Sequence, residues 1–323
     1  MKILGLGNAL VDIMTKLKSD KFLDDHNLPK GSMQLVDYDL SEAVLKDAGE
    51  LEKSLSSGGS AANTINGLSR LGVQCGYVGS VGKDEFGDFF KNDLIKNNVN
   101  PLLFEGKQRT GRAIALISPD SERTFATYLG AATELEPDLI TEDIFKGYDI
   151  LHTEGYLVFN NQLIKKVAQT AKKAGLLVSL DLSSYNIVEQ NKEFLYNLIT
   201  EFIDFVFAND EEAKAFTGED PDRALEIISE ISDYSIVKTG AKGSLIKYKD
   251  RKYTIAPINA NPIDATGAGD LYAAGFFYGL ANNLPIEKCG KVGSILAGNV
   301  IEVVGSKMDD NRWEQVISKI NQI

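Results

Sequence analysis

Residues 261–277 hold the types needed to seat an anion beside a proton acceptor. Asn261-Pro262-Ile263-Asp264 is turn-prone, Gly267-Ala268-Gly269 follows, and Asp270 leads into an apolar run with small residues at helical spacing. That order predicts a loop, a glycine turn and a helix N-terminus. Gly267 and Gly269 let the backbone bend where a Cβ would obstruct, so several N–H groups aim at one spot. The unpaired N–H groups and positive dipole end of the helix add to that field. Such a cradle takes an anion, phosphate being the usual one. Asp270 has two readings. A carboxylate beside a phosphate can accept the proton of an attacking hydroxyl while the cradle steadies the migrating charge. Asp is also a favoured helix cap. The ten residues 261–270 leave both open.

The elements that must position this stretch follow from the pattern along the chain. Beyond residue 137, apolar runs at 150–154, 176–180, 205–208 and 235–238 alternate with helical patterns at 163–173, 193–203, 211–217 and 221–231. Short β-rich runs separated by helices of this length imply right-handed βαβ units and a mostly parallel sheet. Ligands of such sheets bind outside the carboxyl ends of the strands. Asp181, the run Asn209-Asp210-Glu211-Glu212 and the run Thr239-Gly240-Ala241-Lys242-Gly243 all fall at those ends. Residues 102–129 are β only: 112–118 and 123–129 flank a Pro119-Asp120-Ser121-Glu122 turn. A β insertion in an alternating chain reads as a flap, with 12–16 and 31–36 as candidates for its other strands.

At the start, Lys2 to Asn8 reads as a strand, and no second glycine pair completes a dinucleotide fingerprint. Asp12 sits in the strand-like run 9–13, where a carboxylate is costly without a partner. It fits a turn or salt bridge, or a grip on sugar hydroxyls. Ser54 to Ser60, with the run Leu55-Ser56-Ser57-Gly58-Gly59-Ser60, reads as a loop before a helix over 61–72, with Asn63 in its first turn. Gly58 and Gly59 permit close approach of a ligand.

Bulk properties narrow the classes. The 323 residues suit one large α/β domain or two smaller ones, and 43% hydrophobic with 25% charged residues is ordinary for a globular chain. A net charge of −12 argues against nucleic-acid and anionic-membrane partners. Cys75 and Cys289, with no leader-like segment and no run able to span a bilayer, point to reduced thiols in the cytoplasm. His26 and His152 belong to no Cys/His cluster, so zinc is not expected.

Taken together these motifs resemble the ribokinase-like (PfkB) family of carbohydrate and nucleoside kinases, in the family's order and over nearly the whole chain. Gly58 to Asn63, continuing to Gly72 and to Gly79-Ser80-Val81-Gly82-Lys83-Asp84-Glu85-Phe86-Gly87, is similar to the N-terminal signature. Asp264-Ala265-Thr266-Gly267-Ala268-Gly269-Asp270 is similar to the C-terminal D-T-x-G-A-G-D, with Ala265 for the usual Thr. Asn209 to Glu212 fits N-x-x-E, and Thr239 to Gly243 fits T-x-G-x-x-G loosely. The resemblance implies a single domain over 1–323: a three-layer α/β/α sandwich with a mostly parallel sheet and a small β lid from about 12–37 and 99–130. It implies ATP-dependent phosphoryl transfer to a primary hydroxyl. Asp270 would be the base, with Gly267, Ala268 and Gly269 as anion hole. Asn209 and Glu212 would organise Mg²⁺ indirectly, with Thr239, Gly240 and Gly243 by the nucleotide. Asp12, Gly58, Gly59 and Asn63 would hold the acceptor. Asp264 and Gly305 match the region where members bind a monovalent cation such as K⁺. The lid would close over the acceptor, and the chain would be a monomer or a homodimer through the lid.

On the acceptor, residues 5–13 and 22–34 look more like adenosine kinases. Asn8 and Asp12 would share ribose hydroxyls, Gln34 would lie near the base, and Tyr156 would stack on a purine or be a half-buried surface tyrosine. Arg112 and Arg123-Thr124-Phe125 occur also in the sugar-kinase-like branch, while Asp181-Leu182-Ser183-Ser184 departs from its D-x-N-x-R pattern. The expectation is a nucleoside 5′-hydroxyl kinase, adenosine first. The alternatives are a ribokinase- or fructokinase-like sugar kinase and a nucleotide-binding regulator without turnover.

Overall fold

A computed structural model describes residues 1–323 except Glu50, Glu52 and Ser121. Strands β1 (Lys2–Leu6) and β2 (Leu10–Lys16) precede α1 (Lys21–Asp25), β3 (Met33–Leu35), α2 (Tyr38–Asp47), β4 (Lys53–Gly58) and α3 (Ser60–Arg70). Next come β5 (Gln74–Val81), α4 (Glu85–Lys96), β6 (Val99–Glu105) and the hairpin β7 (Gly111–Ile117) and β8 (Arg123–Tyr128). An alternating stretch follows: β9 (Ile150–Glu154), α5 (Asn161–Lys173), β10 (Leu177–Asp181), α6 (Tyr185–Phe202) and β11 (Phe205–Asn209). It continues with α7 (Asp210–Thr217), α8 (Pro221–Ile228) and β12 (Tyr234–Lys238). The hairpin β13 (Ser244–Tyr248) and β14 (Arg251–Ile255) and helices α9 (Ala268–Ala281), α10 (Ile286–Val300) and α11 (Asp310–Ile320) complete the chain.

The main sheet has the order β14-β13-β12-β11-β10-β9-β1-β5-β6, parallel from β12 to β6. Among the described residues only the β13 pairings are antiparallel in it. Alternate residues of its strands enter separate cores on the two faces. Ile3, Phe205, Phe207 and Ile236 join the core of α3, α9, α10 and α11, whereas Leu4, Leu6, Val206 and Val237 join that of α5, α6, α7 and α8. Three layers result, as the alternation of patterns requires. Chain order runs outward from β1 in both directions, which opens a crevice between β1 and β9 at their carboxyl ends.

The second sheet, β3-β8-β7-β2-β4, is built from the segments expected to form the lid. Val11, Ile13, Ile114, Leu116 and Ala126 share a buried cluster with Leu23 of α1, Leu28 just after it, Val44 of α2 and Phe90 of α4. Two expectations need correcting. Residues 99–105 pair with β5 in the main sheet, so the second lid segment begins at Gly111 rather than 99. The serine-rich run read as a loop is strand β4, whose polar residues carry no alternation of their own and take their register from β2, Asp12 opposite Ser56 and Leu10 opposite Gly58. The β7–β8 turn closes through the Ser118 N–H donating to Glu122 at 2.8 Å, while Ser121 lies outside the described residues. Among the described residues no helix is long and apolar enough to cross a membrane.

Candidate active site

The last residues of β9, β10, β11 and β12 are Glu154, Asp181, Asn209 and Lys238. Each lies two positions beyond a residue facing α9 (His152, Ser179, Phe207 and Ile236), so strand alternation puts all four on that face. They form a polar rim along the carboxyl end of the sheet, opposite the N-terminus of α9.

Gly267 begins α9 in the left-handed region, φ 78°, and a Cβ there would meet Ser306. Among the described residues the N–H groups of Gly267, Gly269 and Asp270 donate to no protein acceptor. These free donors at a helix N-terminus fit an anion such as a nucleotide phosphate. Asp270 is the third helical residue and does not cap its own helix. Its carboxylate accepts instead from α3: Ser60 Oγ at 2.7 Å and Asn63 Nδ2 at 3.0 Å. Asn63 in turn accepts from Ser306 Oγ at 3.0 Å, which ties α3 to the turn after α10. The approach of α3 to α9 depends on small residues: a Cβ on Gly67 would lie 2.9 Å from Leu271 and 3.0 Å from Ala274. Burial raises the Asp270 carboxyl to about 6, against the downward pull of the Ser60 and Asn63 hydrogen bonds.

At the crevice between β1 and β9, Glu154 accepts from Asn8 N (3.0 Å), Asn8 Nδ2 (2.9 Å) and Ala61 N (2.9 Å). Glu154 thereby pins both Asn8 and the start of α3, and burial raises its carboxyl to about 7. Asp12, on lid strand β2, lies over Gly58 so closely that a Cβ there would fall 2.1 Å from its carboxylate. Burial raises Asp12 to about 7 against the charge of Lys307. Lys307 itself donates to Ser57 Oγ at 3.3 Å. Gly59 has φ 96° and packs on the Asn8 carbonyl.

Along the sheet, Asn209 and Glu212 form a reciprocal capping box at the start of α7. Among the described residues Glu212 accepts only from Asn209, N at 2.7 Å and Nδ2 at 2.8 Å, and burial followed by the charge of Asp181 raises it to about 7. Thr239, Gly240 and Gly243 make the tight turn after β12, with Thr239 Oγ1 donating to the Gly243 carbonyl at 3.0 Å. Tyr156 donates to the Ser183 carbonyl at 3.4 Å, and burial, then the charges of Glu154 and Asp270, push its phenol up. Gln34 donates to Ser32 Oγ at 3.2 Å in the smaller sheet, and among the described residues no bond connects it to this cluster.

Asp264 is spoken for. Its carboxylate accepts from Thr266 N (3.0 Å), Thr266 Oγ1 (2.8 Å), Gly305 N (2.5 Å) and the guanidinium of Arg123. Arg123 also donates to Thr266 Oγ1 at 3.1 Å. Four donors, one of them a permanent cation, fill the acceptor positions of the carboxylate, so this side chain does not fit a K⁺ ion. Arg112 is likewise committed to the lid, bonding Ser41 at 2.8 Å and Glu42.

The residues to which motif reading gave no role are Glu154, Lys238, Ser60, Lys307 and the Arg123–Asp264 link. For the first two a signal existed: each is the last residue of an apolar strand, at the strand end where such sheets bind ligands.

The pfkB family carbohydrate kinase model matches residues 31–312. A nucleoside kinase of Methanocaldococcus jannaschii is 31% identical over 82% of this chain and 85% of its own. The 5-dehydro-2-deoxygluconokinase of Geobacillus kaustophilus is 30% identical, covering 76% and 78% of the two chains. In structure, adenosine kinase from Sinorhizobium meliloti superposes with a TM-score of 0.87 at 31% identity over 98% of this chain and 99% of that one. The large mostly parallel sheet with a smaller one is the ribokinase-like fold of that neighbour. The chain is a kinase and belongs to the pfkB family of carbohydrate kinases.

Proposed function

We propose that the protein transfers the γ-phosphoryl group of ATP to the 5′-hydroxyl of a nucleoside, adenosine first, with Asp270 as general base. The observation that carries this reading is the carboxylate of Asp270 beside free helix N–H groups, held by Ser60 and Asn63 and raised to about 6. A base with that value is ionised at neutral pH yet close enough to it to take a hydroxyl proton in the transition state. Gly267 and Gly269, with Asp270, supply backbone donors for charge on the transferring group, whereas the expected donor Ala268 spends its N–H on the Ala265 carbonyl at 3.1 Å. Asp12 accepts from acceptor hydroxyls, with Asn8, Gly58, Gly59 and Asn63 shaping that pocket, Tyr156 flanking the base and Gln34 reaching it when the lid closes.

ATP is the co-substrate of this family, with Thr239, Gly240 and Gly243 beside the nucleotide. Mg²⁺ would neutralise the phosphate charge. Asn209 and Glu212 are the residues to hold it through water, since Glu212 keeps lone pairs free beyond its two bonds to Asn209. Asp181, Glu212 and Asp270 against Lys238 leave a net negative site, which suits a divalent cation. Among the described residues no three carboxylate, His or Cys groups could cage a metal directly. The relatives include nucleoside and adenosine kinases, which accord with the nucleoside acceptor, and sugar kinases, which accord with the alternative. The buried, free Cys75 and Cys289 accord with work in the cytoplasm.

The test is ADP release over a panel of adenosine, other nucleosides, ribose and fructose, run with wild type and Asp270→Asn. Adenosine should be the best acceptor, and the variant should lose roughly 10³-fold or more in kcat with nucleotide binding retained. A wide preference for fructose or ribose makes the protein a sugar kinase instead.

A further inference from the structure

Lys238 has no place in the motifs, yet its ammonium reaches back along the rim from β12 to Asp181 at the end of β10. Its Nζ donates to Asp181 Oδ2 at 2.8 Å, and the two side chains are 14% and 6% exposed. The same nitrogen lies 2.9 Å from the point that a Cβ on Gly269 would occupy. The lysine therefore rests on the first turn of α9, between Asp181 and the free N–H groups. Burial works to neutralise it, but Asp181 and Glu212 outweigh burial, and Asp270 adds to them, so it stays charged. Asp181 is fixed independently, accepting from Ser183 N at 2.9 Å.

Phosphoryl transfer spreads negative charge over three equatorial oxygens, and the protein contributes chiefly positioning and charge. A helix N-terminus offers only about half a positive charge. A lysine on a flexible four-carbon stem is a full charge that can follow a moving group. We infer that Lys238 is a catalytic residue, its ammonium exchanging Asp181 for the non-bridging oxygens of the phosphoryl group in transit. In that step Asp270 takes the hydroxyl proton and the acceptor oxygen bonds to phosphorus. The bond from phosphorus to the ADP oxygen breaks, and Lys238 neither gains nor loses a proton. The inference rests on the kinase assignment, not on the acceptor.

The experiment compares Lys238→Met, Lys238→Arg and the double variant Lys238→Met/Asp181→Asn in the full chain, using whichever panel acceptor the wild type phosphorylates fastest. Failure with adenosine would thus sink the nucleoside reading and leave this test intact. Lys238→Met should lose roughly 100-fold or more in kcat, with acceptor KM and ADP affinity within about threefold. The double variant, which has no orphaned carboxylate and carries the measurement should the single one not fold, should stay as slow. Lys238→Arg should recover at least about tenfold of the loss. Wild type should bind ADP more tightly with aluminium fluoride and acceptor present, and both Met variants should lose that gain. Recovery of the double variant to within about fivefold of wild type, or retention of the aluminium fluoride gain, would show that Lys238 only balances Asp181 and overturn the inference.

Discussion

Asn63 Nδ2 lies 3.0 Å from Asp270 Oδ2 although 207 residues separate them in sequence. That bond stabilises the ionised carboxylate and, with Ser60, holds the base below the value burial alone would give. Its removal has a defined direction. Asn63→Ala should move the acid limb of the kcat/KM–pH profile from near 6 toward higher pH, by roughly 0.5–1 unit. Most of the activity should survive at pH 8. A profile that keeps its limb while falling uniformly would mean that Asn63 serves the acceptor alone.

Gly58 offers a probe of the acceptor side. A methyl group there would meet the Asp12 carboxylate at 2.1 Å and force it from its place. Gly58→Ala should raise the acceptor KM by roughly tenfold or more while ADP affinity, measured by calorimetry, stays within about twofold. Equal loss of both would show that the substitution disturbs the fold rather than the acceptor contact.

The Arg123–Asp264 ion pair joins lid strand β8 to the loop before α9, with exposures of 12% and 6%. Because the Asp264 carboxylate is already filled, replacing Na⁺ by K⁺ in the assay should change kcat by less than about twofold. Arg123→Gln leaves a buried carboxylate without its cation and should cost about 3–5 kcal/mol in denaturant unfolding. Strong activation of the wild type by K⁺ would contradict the assignment.

Four carboxyls, Glu154 and Glu212 buried and Asp12 and Asp270 half-buried, set the pH dependence of stability. Asp12, Glu154 and Glu212 rise to about 7 and Asp270 to about 6 from ordinary values of 3.8 or 4.5. Acids raised by folding contribute stability that is complete below the ordinary value and lost as pH climbs through the raised one. Buried His152, held down to about 4 from 6.5, opposes this, since its contribution fades as pH falls below 6.5. Four groups outweigh one, so the unliganded protein should be more stable at pH 6 than at pH 8, by about 1–3 kcal/mol. A Tm series should show the maximum on the acid side of neutrality. Binding of Mg²⁺ and ATP, which favours ionised carboxylates, should flatten it.

Much of this molecule is written in local pattern. Apolar strands with polar ends, helices between them, and the glycine turns at 58–59 and 267–269 are read from neighbours a few residues apart, because backbone conformation and burial repeat at short periods. The acid at 270 could be paired with a phosphate cradle on the same grounds. What neighbours cannot encode is which strand lies beside which. The run 53–58 is a strand only because β2 lies next to it, and 99–105 joins the main sheet only because β5 offers a parallel edge. Likewise Asp270 finds Asn63, Lys238 finds Asp181 and Arg123 finds Asp264 across 207, 57 and 141 residues. Those meetings depend on sheet order and on how closely α3 approaches α9. Only the folded chain brings such charges close enough, and dry enough, to shift one another.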